Sequence, residues 1–170
     1  VGSLCVDTLK TIVSATTECG TVAIPYFTDF EGLSTGNMPV CWTAAQTGTS
    51  GSGTFPSAYN YASNARNGNI YFEFESTSGQ TEVAVLPVMN NVNTLMLNFW
   101  ASVMNHNFVL EVGVMEGTDF VPVDTVNLIV GSGGNWHGSY NEYDVPLSGY
   151  TGTGNRIAMR VTASGSYTLM

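Results

Sequence analysis

Basic residues are scarce: Lys10 is the only lysine, and Lys and Arg together number 4 against 13 acids. Nucleic acids and anionic membranes are held by clusters of Lys and Arg, so a net charge of −9 argues against both as partners and suits cations instead. Charged residues of either sign make up only 10% of the chain. Solubility therefore rests on Ser, Thr, Asn and Gly, a surface style common among secreted β proteins. No run of eighteen apolar residues exists, which excludes a membrane-spanning helix. Residues 1–15 lack the basic start and continuous apolar stretch of a secretory signal, so any export signal is expected upstream. There is no Cys-x-x-Cys, which removes zinc-knuckle and thioredoxin readings. There is no Gly-x-Ser-x-Gly either, and His106 and His137 sit in turn-like settings where a solvated imidazole is expected rather than a triad member.

What is present is a period of two. The 170 residues, 44% of them hydrophobic, suffice for one domain with a proper core. Ile70, Phe72 and Phe74 alternate with Tyr71, Glu73 and Glu75, which predicts a strand with one buried and one solvated face. Ser78-Gly79-Gln80 then predicts a hairpin into residues 82–86. Residues 94–104 are nearly all apolar and read as a long strand buried on both faces, with residues 108–115 pairing back on it. Pro122 marks the next strand, residues 120–129, as an edge or a bulge. Residues 136–147 and 156–162 read as further strands, the latter with Ile157, Met159 and Val161 on one face. The Gly-, Ser-, Thr- and Asn-rich residues 43–69 read as a long surface loop. No segment keeps a helical period, so the expected fold is all-β, a two-sheet antiparallel jelly-roll sandwich.

The organising stretch is Ile24-Pro25-Tyr26-Phe27-Thr28-Asp29-Phe30-Glu31-Gly32, followed by Pro39-Val40-Cys41-Trp42. If extended, it sets Tyr26, Thr28 and Phe30 on one side and Phe27, Asp29 and Glu31 on the other. Gly32, Asn37 and Pro39 interrupt it, giving strand, loop, strand. Three cysteines, Cys5, Cys19 and Cys41, allow one disulfide in three possible pairings.

The order Ile-Pro-Tyr-x-x-Asp-Phe-Glu, a short loop, then Pro-x-Cys-Trp resembles the opening of secreted β-sandwich modules of Bacteroidetes surface proteins. These are the cleaved-adhesin and choice-of-anchor type, distantly similar to MAM domains. Leu95-Met96-Leu97-Asn98-Phe99-Trp100, Trp136, Leu147-Ser148-Gly149-Tyr150 and Ile157-Ala158-Met159-Arg160 continue the match. The resemblance implies a Cys19–Cys41 bridge in an oxidising exterior. It implies residues 1–20 as a linker or the tail of a preceding Ig-like module, and residues 21–170 as the sandwich. The chain stops at Tyr167-Thr168-Leu169-Met170, where family members continue into an acidic strand, so the C-terminal strand is expected to be truncated. The resemblance also places Asp29 and Glu31 closest to a structural calcium, an ion that takes six to eight oxygens.

Glu73 and Glu75 resemble the carboxylates of concanavalin-like glycosidases, but the third acid of that pattern is missing, and a solvated face is expected instead. Trp42 and Trp100 lie in apolar runs and are expected in the core. Trp136 follows a Gly-rich loop and, with Tyr140 nearby, is the expected sugar platform, although related modules keep a tryptophan there for packing. The expectation is a non-catalytic adhesion or carbohydrate-binding module of a larger extracellular or surface-anchored bacterial protein. Its partners would be a glycan or a host surface protein, besides other domains of its own chain. The alternatives are a structural spacer without ligand and a glycoside hydrolase remnant.

Overall fold

Alternating apolar residues become strands, and the pairing of those strands decides which side of each faces the core. The computed structural model describes residues 19–48, 56–76, 79–103, 108–128, 139–162 and 167–169. Ten strands run through them: β1 Thr43–Gly48, β2 Ser57–Asn60, β3 Ile70–Ser76, β4 Gln80–Val88 and β5 Met96–Ala101 form the first half. The second half is β6 Phe108–Glu116, β7 Asp119–Leu128, β8 Asn141–Pro146, β9 Arg156–Thr162 and β10 Tyr167–Leu169. The described residues contain no α-helix, only a 3-10 turn at Val92–Thr94. The fold is all-β and every ladder is antiparallel.

The larger sheet has the order β1-β4-β9-β6-β7; β10-β3-β2 and β5-β8 form two smaller ones. All three contribute to one hydrophobic cluster, with Phe72 and Phe74 from β3, Leu110, Val112 and Val114 from β6, Val145 from β8 and Val161 from β9. Burying a side chain of this size stabilises by roughly 1.5–3 kcal/mol, so this shared core holds the sheets face to face. β9 matches its expected bounds and inward residues. β7 is the expected edge strand, and the register slips beside Pro122, between Val112 and Gly113 of β6. Gly113 is required there, because a Cβ would run into the Val121 carbonyl oxygen.

Several expectations are corrected. Residues 43–69 are not one loop: β1 and β2 form within it because β4 and β3 offer them hydrogen-bonding edges, which composition does not reveal. β3 and β4 are not a hairpin, since β3 pairs with β2 and β10 while β4 pairs with β1 and β9. β6 does not pair back on β5; it lies between β9 and β7. β5 is shorter than residues 94–104 and half-buried, and among the described residues it pairs with β8 alone.

The organising stretch alternates faces as expected, with Tyr26 and Phe30 against the core and Phe27 83% exposed. It is nevertheless no strand: residues 19–42 form a strap whose backbone reaches the sheets through bonds such as Val22 N–H to the Val88 carbonyl, 2.9 Å. Phe30 leaves the extended region altogether, at φ 65°. Its ring stacks on Phe72 at 5.5 Å and meets Trp42 edge-on at 6.0 Å, while the Trp42 indole N–H donates to the Tyr26 hydroxyl at 2.9 Å. Cys19 and Cys41 are joined by a disulfide, the pairing the resemblance implied, with Cα atoms 5.4 Å apart. Cys5 and most of the proposed linker, residues 1–18, lie outside the described residues.

Candidate functional site

The outward faces of the two smaller sheets gather the chemistry. On β3, Phe72 and Phe74 turn into the core, so Tyr71, Glu73 and Glu75 turn the other way. Tyr59 of β2 pairs with Tyr71 in register, and their rings lie 5.7 Å apart. On β5, Leu97 and Phe99 pack against the core, so Met96, Asn98 and Trp100 point outward. Trp100 is 39% exposed, which corrects its expected place in the core. β8 sets Glu142 opposite Trp100 and Asp144 opposite Asn98, and the Asn98 amide donates to both carboxylates, at 2.9 and 2.7 Å.

Residues 61–68, which follow β2, connect these outward faces. The Arg66 guanidinium lies over the Trp100 ring, 3.7 Å from its centroid, a cation–π contact that holds a row of N–H donors at the surface. The Tyr140 hydroxyl donates to the Asn64 carbonyl at 2.8 Å. The Tyr71 phenol feels both the Asn64 side chain and the Glu73 carboxylate.

Glu73 is not on a solvated face. It is 7% exposed and Tyr71 6%. Burial, with the charge of Glu75 added, pushes the Glu73 carboxyl up to about 7, and the Tyr71 hydrogen bond offsets only part of this. Burial, followed by the charge of Glu73, raises the Tyr71 phenol above its usual range. Near neutral pH Glu73 exists in both forms, so it can accept or donate a hydrogen bond. Tyr71 stands beside it, and the Arg66 guanidinium over Trp100 lies on the neighbouring outward face. The arrangement can hold a ring that is apolar on its faces and hydroxylated at its rim.

Of the ligand residues expected from the sequence, Tyr140 belongs to this site, but its hydroxyl is turned to the loop backbone, and burial raises it to about 12. It positions the loop. Trp136 lies outside the described residues, as do His106 and His137. Asp29 and Glu31 lie in the strap. Glu31 Oε1 accepts the Asn69 and Ile70 backbone N–H groups at 2.8 and 3.0 Å, and Asp29 Oδ1 accepts the Glu31 N–H at 3.0 Å. Glu31 clasps the strap to the start of β3, and a Cβ on Gly68 would strike its carboxylate. Among the described residues no group of three or more His, Cys, Asp and Glu side chains is placed to hold a metal. Trp100 was missed although a signal was present: Asn98 at the same parity in an apolar strand marks an outward face, and Trp100 shares it.

No protein-family model matches the chain, and no curated protein matches it. Among solved structures it resembles the enzymatically active domain of tailspike protein 4 of bacteriophage CBA120, at 18% sequence identity and a TM-score of 0.44. The alignment covers 76% of this chain and 18% of that one, so the chain spans under a fifth of the tailspike's length. A likeness of this size carries nothing about activity. No helix among the described residues is long and apolar enough to cross a membrane.

Proposed function

We propose that this chain is a non-catalytic carbohydrate-binding or adhesion module of a larger exported protein of the cleaved-adhesin type, folded as a two-sheet jelly roll. Strand order supports the fold: of the nine links between successive strands, only β2–β3 and β6–β7 stay within a sheet, and the other seven cross between sheets. Such alternation is what a jelly roll produces when β10-β3-β2 and β5-β8 together make its second layer. The Cys19–Cys41 disulfide supports export, since such bonds persist in oxidising surroundings.

The observation that carries the ligand class is the outward Trp100, stacked with Arg66, with the buried pair Tyr71 and Glu73 on the neighbouring outward face. Aromatic rings accept the apolar faces of pyranoses, and convergent polar groups select their hydroxyls. The test is a glycan array probed with the chain and its Trp100→Ala variant. A defined set of oligosaccharides should be retained, and Trp100→Ala should lose at least about tenfold in affinity. No binding to any glycan at millimolar concentration would leave a spacer domain. Release of reducing sugar that Glu73→Gln abolishes would make the chain a hydrolase.

A further inference from the structure

A second concavity, of about 230 Å³, opens at the end of the molecule where β4 leads into β5 and β8 into β9. It stands apart from the face just described, because Asn93 precedes β5 and Trp100 lies near the far end of that strand. Asn90, Asn91, Asn93 and Asn155 line it, and none of their carboxamides is hydrogen-bonded within the described residues.

The walls are fixed by the backbone. The Asn91 carbonyl accepts both the Thr94 N–H and its hydroxyl at 2.8 Å, and the Asn155 carbonyl accepts the Met89 N–H at 2.8 Å. Tyr150, 4% exposed, forms the floor, its hydroxyl donating to the Glu116 carboxylate and accepting the Gly154 N–H. Glu116 also accepts the Thr153 N–H at 2.9 Å, and these hydrogen bonds hold its carboxyl below the usual range. Its charge is therefore answered from within the fold. A side chain at Gly152 would strike Glu116 and Tyr150, so glycine lets this loop pack directly on the floor.

A carboxamide carries two donors on nitrogen and an acceptor oxygen, the mixture that vicinal hydroxyls match, and four exposed ones line this cleft. The volume lies below the roughly 300–1,000 Å³ of sites for drug-sized ligands, which suits one ring rather than a chain of them. We infer that this cleft is a second site, binding a single neutral, hydroxyl-rich sugar ring such as the terminal residue of a glycan. It does not depend on the outer face being a glycan site.

The experiment is an amide NMR titration of the 170-residue chain with methyl glycosides of glucose, galactose, mannose and N-acetylglucosamine, with calcium chloride as a separate arm. At least one glycoside should give saturable shifts at the Gly152 and Gly154 amides and at the asparagine side-chain amides. In the Asn93→Ala/Asn155→Ala double variant the affinity should fall at least about tenfold with the melting curve unchanged, while Trp100→Ala should leave the cleft shifts intact. No saturable shift with any glycoside, equal affinity in the double variant, or shifts driven by calcium alone would each overturn the inference. A cleft that binds in a chain whose Trp100→Ala variant changes nothing on a glycan array would leave this site standing and remove the outer-face reading.

Discussion

Glu73 sits in an environment far from that of a surface carboxylate, 7% exposed. Its carboxyl titrates at about 7 in the fold, against an ordinary value of 4.5. Between those two values the folded chain holds a proton that the unfolded chain has released, so stability falls as pH rises through this window and levels off above about 7. The contribution lost is on the order of 3 kcal/mol. Glu73→Gln keeps the shape and cannot ionise, so it should raise the melting temperature at pH 8, leave it nearly unchanged at pH 5, and flatten the profile between them. An unchanged slope would place the titration elsewhere. Glu31 accepts two backbone N–H groups and so ties the strap to β3. Glu31→Gln should cost about 1 kcal/mol, discounted because the group is exposed. Calcium added to chelator-treated protein should leave the melting curve where it is, because Oε1 is already engaged by those donors. A rise that Asp29→Asn abolishes would instead establish the cation that the family resemblance implied.

Among the elements, the strap depends most on a single bond. The disulfide spans a separation of 22 residues, and closing a loop of that length constrains the unfolded chain by roughly 3 kcal/mol. Reduction, or Cys19→Ser with Cys41→Ser, should lower stability by about that amount, as measured by urea unfolding with an unchanged slope. A loss under about 1 kcal/mol would mean that Phe30, Trp42 and Tyr26 hold the strap without it. Where an element's own residues alternate, it was legible in the sequence: Ile157, Met159 and Val161 named the buried face of β9, and Pro122 named an edge. β1 was not legible, because Thr43–Gly48 is polar and becomes a strand only by pairing with β4. The link from β3 to β4 reads as a hairpin turn, yet it joins strands of different sheets, and no local residue encodes that choice. Tyr140, expected to contact a ligand, turns its hydroxyl to the Asn64 carbonyl, and the disulfide is the pairing that the family resemblance implied. The outward turn of Trp100 was legible from its parity with Asn98 but was masked by the apolar run around it, whereas the burial of Glu73 depends on neighbours that its own strand does not encode.

For the molecule as a whole, a net charge of −9 borne mostly outside the sheets' shared core leaves recognition to rings, amides and the few fixed charges. The outer face concentrates these around Trp100, and the central claim is that a glycan is held there. The indole N–H signals of Trp100 and Trp42 provide the most direct measurement, followed by NMR while a glycan retained on the array is titrated in. Trp42 is 7% exposed and its N–H is bonded to the Tyr26 hydroxyl, so it serves as an internal control within the core. The account predicts that the Trp100 signal moves saturably, with the Arg66 side-chain signal following it, while the Trp42 signal stays in place. A glycan that binds with the Trp100 signal stationary would contradict it.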